Sequence, residues 1–361
     1  MGIMGAGIVE VFAKAGHDVI GVAESDAAVA AGQRNLAVSL ERAVSRGKLA
    51  EQDAQAVQDR VTWGTDFALL RDSQVVVEAA PEIMALKTSI FAELDAHVGA
   101  AGILATNTSS LSVSRIAAST TRPQRVVGMH FFNPAPIQRF VEVVRGDDSD
   151  EAAVLQVAQL ASSLGKHAAI VGDQPGFIVN RLLLVYINHA IWLHDLGHAT
   201  TEQLDVAMRL HAKYPMGPME LADLIGLDTC LEVIKTIHAA TGREVDRPAA
   251  SLIEHVAAGR LGRKSGRGYY DHSGGRIEPQ STDAVLEAQL CQDLLLAYLG
   301  DAIDMNRSGY ASREDIDAGM RLGCGLPFGP WEEIERRGFQ AVADARRDLA
   351  ARTGIAEFAP E

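Results

Sequence analysis

The chain opens Gly2-Ile3-Met4-Gly5-Ala6-Gly7, and an apolar helical pattern runs on through Ala15 before a β-branched run ends at Val22. A glycine turn feeding a helix lets the backbone approach a ligand closely, and the first turn of that helix offers N–H groups without intrahelical partners to an anion. Followed by a strand, the pattern is that of the opening turn of a dinucleotide-binding α/β unit, although glycines also serve tight packing of helix on strand. Two features depart from it. The strand that should deliver the first glycine does not stand before Gly2, and Ala23 occupies the place of the acidic residue that normally closes the second strand, with Glu24 one position later. Glu24 is either a ribose ligand or a solvated charge at a strand end. The expectation is an α/β fold that lacks its central first strand, through a misplaced start or a shortened chain, and that grips its ligand weakly as a result.

Working outward, further β-branched runs at 18–22, 74–78, 102–106, 125–129 and 140–144 alternate with helical patterns, as in a parallel, doubly wound sheet. From Phe177 the strand patterns stop and amphipathic helical stretches, broken by Gly/Pro turns, run to the end. Within them Ala190-Ile191 recurs as Ala302-Ile303, Asp205 as Asp317, Met208-Arg209-Leu210 as Met320-Arg321-Leu322 and Gly217-Pro218 as Gly329-Pro330, each pair 112 positions apart. A constant offset over such a span reads as a duplicated helical module. With 272–283 as a linker, the expected division is a nucleotide-binding domain at 1–175, an all-α module at 176–275 and its second copy at 284–361.

Bulk properties narrow the class. Hydrophobic residues make up 47% and charged residues 22% of 361, ordinary globular composition. The formal net charge of −14 argues against a nucleic-acid or anionic-membrane partner, so an anionic ligand needs a local site. Cys230, Cys291 and Cys324 are odd in number and lack metal-type spacing, which points to free thiols, no metal site and a reducing, cytoplasmic setting. No apolar run reaches the roughly 18 residues of a membrane span, and no basic-then-apolar leader precedes the glycines.

Three polar segments carry the chemistry. Asn107-Thr108-Ser109-Ser110-Leu111-Ser112 follows an apolar strand, and ligands of open α/β sheets bind at such C-terminal ends. A second strand delivers Gly128-Met129-His130-Phe131-Phe132-Asn133-Pro134. A histidine beside two phenylalanines can be structural, or it can serve as a general base near neutral pH. Glu142, inside the apolar run Val141 to Val143, must be paired or exposed, and an imidazole would serve as its partner. In the third segment, Pro175-Gly176-Phe177-Ile178-Val179-Asn180-Arg181, a turn opens a helix whose Asn180 either caps, packs or binds.

Together with Tyr214-Pro215-Met216-Gly217-Pro218 and Leu261-Gly262-Arg263-Lys264-Ser265-Gly266-Arg267-Gly268-Tyr269-Tyr270, these motifs closely resemble L-3-hydroxyacyl-CoA dehydrogenases, in family order and spacing over nearly the whole chain. The resemblance implies a Rossmann-type domain binding NAD and a helical C-terminal domain, carried twice in some bacterial members. It implies His130 as catalytic base, Glu142 as its partner, and Ser109 and Asn180 as the groups that hold the substrate's 3-oxygen and thioester carbonyl, with Asn133 supporting the pocket. Gly2, Gly5, Glu24, Glu82, Lys87 and Asn107 fall at cofactor-binding positions. Ser39 and Arg46 match the segment that contacts coenzyme A, although the family usually has lysine at the second place.

The activity so implied is NAD-dependent oxidation of an L-3-hydroxyacyl-CoA, such as 3-hydroxybutyryl-CoA, to the 3-oxoacyl-CoA, or the reverse. Two alternatives stand beside it: a related dehydrogenase acting on a carrier-protein thioester or a free 3-hydroxy acid, and a non-catalytic binding protein on the same scaffold. The first helical module has apolar faces that one copy cannot bury, so either a homodimer or the second copy must cover them.

Overall fold

The structure is a computed structural model and describes residues 1–274, 280, 281 and 283–360. It divides into two compact units, Met1–Gln174 and Pro175–Glu361.

The first unit runs α1 (Ile3–Lys14), β1 (Val19–Val22), α2 (Asp26–Ser45), α3 (Glu51–Asp59), β2 (Val61–Gly64), β3 (Val75–Glu78), α4 (Met84–His97), β4 (Ile103–Thr106), α5 (Val113–Ala117), β5 (Val126–Phe131), β6 (Phe140–Arg145), α6 (Glu151–Ser163) and β7 (His167–Gly172). The strands form two ladders, a parallel β1–β2 pair and a five-stranded sheet in the order β3-β4-β5-β6-β7. Helix α1 joins them. Its Ile8 and Val11 belong to the core of the larger sheet, while Val9 and Ala13 pack with Leu36 and Leu40 of α2 and with Ala54 and Val57 of α3. Gly7 brings α1 against the chain beyond β5, since a Cβ there would lie 3.2 Å from Pro136 Cδ.

An all-parallel sheet is not what forms: β5 and β6 run antiparallel. The connection between them, 132–139, is too short for the crossover that parallel neighbours need. The strand β7 then restores parallel pairing with β6. Antiparallel pairing sets His130 directly opposite Glu142, which a parallel arrangement would not do.

The second unit is helical: α7 (Val179–Asp195), α8 (Thr201–His211), α9 (Pro218–Ile225), α10 (Leu227–Thr241), α11 (Ala250–Ala257), α12 (Ala284–Arg307), α13 (Arg313–Ala318), α14 (Pro330–Arg337) and α15 (Phe339–Thr353). Helices α7 and α12 are buried along most of their length; they pack on one another, and α12 also packs on α8. Of the linker foreseen at 272–283, residues 275–279 and 282 lie outside the described residues.

Local features recur at the 112-residue offset. The buried Asp205 accepts the Met219 and Glu220 amides at 2.8 and 3.0 Å and so caps α9, and Asp317 accepts the Trp331 and Glu332 amides at 2.7 and 3.0 Å and caps α14. Each cap requires glycine just before the helix, because a Cβ on Gly217 or Gly329 would lie 2.3 Å from the capping aspartate. The equivalent Tyr186 and Tyr298 meet edge to face with centroids 6.0 Å apart. Contact between equivalent positions marks a local two-fold relation between α7 and α12.

The Gly/Arg/Lys-rich motif before Tyr270 folds around Asp223, whose carboxylate accepts the Tyr269 and Tyr270 amides at 3.0 and 2.9 Å. A Cβ on Gly268 would lie 1.9 Å from that carboxylate, so the glycine is needed for this close approach.

Candidate active site

Three strand ends of the first unit carry polar groups into one cluster. Its centre is His130, buried in β5 next to the equally buried Glu142 of β6. His130 Nδ1 lies 2.6 Å from Glu142 Oε2, and His130 Nε2 lies 3.0 Å from Ser109 Oγ. A carboxylate has no proton to give, so Nδ1 donates to Glu142 and the Nε2 lone pair points toward the serine. The Phe132 ring, 4.6 Å from the imidazole, backs it on one side. The sequence expectation of a His130–Glu142 pair is met, with Ser109 as a third member.

The loop that presents Ser109 is held from beneath. Glu82 Oε1 accepts the Thr108 hydroxyl at 2.6 Å and the Ser109 and Ser110 amides at 2.8 and 2.9 Å. Burial works to raise the Glu82 pKa, but these hydrogen bonds, with Lys87 nearby, outweigh it and hold the carboxyl below its ordinary value. It therefore stays ionised as an acceptor. Asn107 ties the start of the loop to its neighbours, with its amide donating to the Glu78 carbonyl at 2.8 Å and its Oδ1 accepting the Phe131 amide at 2.7 Å. Asp173 anchors the far end by accepting the Ser112 hydroxyl at 2.7 Å and the Val113 and Ser114 amides at 3.0 and 2.8 Å.

Lys87 is fully buried, and its ammonium donates to Glu78 at 2.8 and 3.1 Å and to the Ala80 carbonyl at 3.2 Å, with Glu82 at 3.5 Å. Thr106 donates to the same Glu78 at 2.7 Å. Lys87 thus braces the chain that carries Glu82. Glu78 and Asp173 were not singled out from the sequence. For Glu78 the signal was present, a carboxylate ending the apolar run Val75-Val76-Val77, the same signal that drew attention to Glu142.

Other expected site residues lie apart. Gly2 is the N-cap of α1, exposed, with open space where a Cβ would stand, and Gly5 sits in the first turn against Met1. Glu24 is exposed just beyond β1. Ser39 is half-buried in α2, and Arg46 is the exposed C-cap of that helix. Asn133 is exposed at the cis Asn133–Pro134 bond after β5. Asn180 is in the first turn of α7, in the second unit.

These residues fit a dinucleotide. An uncovered glycine at a helix N-terminus admits a pyrophosphate, and an exposed acid just past β1 suits ribose hydroxyls. Among the described residues no group of three or more His, Cys, Asp or Glu side chains could hold a metal ion, and no helix is long and apolar enough to cross a membrane.

Comparison with known proteins agrees with this geometry. Residues 1–174 match the family described as 3-hydroxyacyl-CoA dehydrogenase, NAD binding domain, and residues 176–272 and 291–361 match that described as 3-hydroxyacyl-CoA dehydrogenase, C-terminal domain. A probable 3-hydroxybutyryl-CoA dehydrogenase of Bacillus subtilis is 44% identical over 75% of this chain and 94% of its own. The crystal structure of 3-hydroxybutyryl-CoA dehydrogenase from Escherichia coli K12 superposes with a TM-score of 0.92 at 30% identity, covering 100% of this chain and 95% of that one. The (S)-3-hydroxybutyryl-CoA dehydrogenase of Ralstonia eutropha gives 0.74 at 42% identity, over 75% of this chain and 96% of its own. The chain belongs to the 3-hydroxyacyl-CoA dehydrogenase family, its first unit being the NAD-binding domain and its second the C-terminal domain.

Proposed function

We propose that the protein interconverts an L-3-hydroxyacyl-CoA, 3-hydroxybutyryl-CoA or a close relative, and its 3-oxoacyl-CoA, with His130 as the acid–base group. One observation carries the assignment: His130 is fixed at Nδ1 by Glu142 and turns Nε2 to the Ser109 hydroxyl. A base so held is oriented before substrate arrives, and its partner carboxylate stabilises the imidazolium formed when it takes the 3-hydroxyl proton. The hydride lost from C3 would be taken up by NAD, the acceptor that the first unit would hold. Ser109 holds the substrate's 3-oxygen, Asn180 the thioester carbonyl, and Asn133 supports the pocket. Gly2, Gly5, Glu24 and Asn107 hold the cofactor, and Glu82 with Lys87 acts by fixing the 108–110 loop beside it. Ser39 and Arg46 contact the coenzyme A moiety.

The same reading takes 176–275 and 284–361 as two copies of one module, with α12 covering the face of α7 that a single-copy chain would give to a partner. A homodimer would then use another face, and a reducing, cytoplasmic setting accords with three free cysteines. Oxidation of NADH by the purified protein with acetoacetyl-CoA tests the proposal: turnover with the CoA ester and none with free acetoacetate supports it, and the reverse preference overturns it.

A further inference from the structure

The turn that delivers Asn180 is backbone-strained. Gly176 has φ +79° and Phe177 φ +48°, a left-handed conformation that a bulky side chain rarely adopts. A Cβ at 176 would lie 2.9 Å from the Arg181 nitrogen, so the turn closes tightly on its own helix start. Such a conformation persists only where its surroundings over-determine it. One such anchor is Arg181, the residue after Asn180. Its amide donates to the Gly176 carbonyl at 2.9 Å, and its guanidinium is buried between two carboxylates, Asp246 at 2.9 Å and Asp301 at 3.2 Å.

Those two acids come from different places. Asp246 lies in the single turn Glu244–Asp246 and also accepts the Thr241 hydroxyl at 2.6 Å. Asp301 belongs to α12, the first helix of the second stretch, and is held in turn by Arg243 at 2.6 Å. At the 112-residue offset Asp301 corresponds to His189 and Arg181 to Asp293. Identical copies meeting about a two-fold axis would set Arg181 against a second His189. The acid at 301 is therefore peculiar to the second copy, and it adds a second counter-charge to the one that Asp246 of the first copy already gives Arg181.

We propose that Asp301 is a positioning residue for the dehydrogenase reaction: through Arg181 it holds the 176–181 turn in the strained form that presents Asn180, so that the second helical copy sets the acyl-CoA affinity of the first. The inference rests on the reading of Asn180 as a thioester-binding group.

The test compares D301N with D317N, which loosens a cap of the second copy far in sequence from Arg181. In D301N the KM for acetoacetyl-CoA rises about tenfold and kcat changes far less, because ground-state positioning is lost while the acid–base group is untouched. NADH affinity holds, and hydrogen exchange of the 177–181 amides quickens. D317N lowers thermal stability but keeps KM and the exchange rates of that turn. R181M raises KM as D301N does, and D301N adds nothing in its background; this pair also serves if D301N alone does not fold. A folded D301N with unchanged KM and unchanged exchange overturns the proposal, as do additive effects of R181M and D301N. N180A separates the underlying reading: an unaltered KM there, with faster turn exchange in D301N, removes Asn180 from substrate binding and leaves the Asp301–Arg181 control of the turn standing.

Discussion

Ser109 Oγ and His130 Nε2 stand 3.0 Å apart, on two different strand ends, with Glu142 locking the far side of the imidazole. The serine hydroxyl thus occupies the direction from which a substrate hydroxyl would approach the base. Replacing His130 by Gln removes the proton acceptor, so kcat falls by about 10²–10⁴-fold while NADH binding, followed by fluorescence, is retained. Glu142→Gln keeps the shape but cannot stabilise the imidazolium, so turnover slows and the pH–rate profile moves. An unshifted profile in that variant would reduce Glu142 to a structural role.

The proposed place of Glu24 at the ribose makes cofactor choice a test. Its exposed carboxylate would repel a 2′-phosphate, and the next basic residue along the chain is Arg34, well inside α2. NADH is expected over NADPH by about tenfold or more in kcat/KM, and Glu24→Gln narrows the ratio. A wild-type preference for NADPH would mean that Glu24 does not face the ribose.

Much of this was legible in the residues. The strand runs at 74–78, 102–106 and 125–129 fall on β3, β4 and β5 within a residue or two, because continuous apolar β-branched runs suit a sheet buried on both faces. The pairing of His130 with Glu142 followed from the cost of an unpaired carboxylate in an apolar strand. What stayed hidden depends on direction and on distant chain. The antiparallel turn between β5 and β6 is encoded only in a short connection, and the alanine-rich β7 has weak strand propensity of its own. The resemblance put Lys87 at a cofactor-binding position; that its ammonium is buried on Glu78 is visible only in the fold. Gln292, the counterpart of Asn180, carries no such ambiguity: it is exposed and bonded to Arg337.

His189 is expected to contribute to the acid limb of stability. Burial on α7 pushes its pKa down to about 4 from 6.5, opposed by Asp293 and aided by Arg352, and its ring packs 4.8 Å from Phe358. Because the folded pKa is the lower one, the unfolded chain binds the extra proton between pH 6.5 and 4. Stability is therefore complete above pH 6.5 and is lost as pH falls through that window, by about 2 kcal/mol between pH 7 and 5. In His189→Phe the urea midpoint should fall less over the same interval; equal slopes for variant and wild type would show that other groups set the acid limb.

Removal of the second stretch, from Asp283 onward, tests what α12 does for α7. Leu294, Leu295, Tyr298, Leu299 and Ile303 of α12 are buried, as are Leu182, Tyr186 and Ile187 of α7, and the Tyr298 hydroxyl meets that of Tyr214 at 2.5 Å. Burial of each large apolar side chain contributes about 1.5–3 kcal/mol, so uncovering several at once rivals the whole stability of a domain, about 5–15 kcal/mol. The Bacillus subtilis relative matches 75% of this chain while 94% of its own length is covered, so that relative has no counterpart to about a quarter of this chain. The truncated protein should therefore either lose thermal stability by many degrees or associate through the exposed α7 face, as read by calorimetry and by sedimentation. A soluble monomer as stable as the full chain would show that α12 is not the cover that α7 requires.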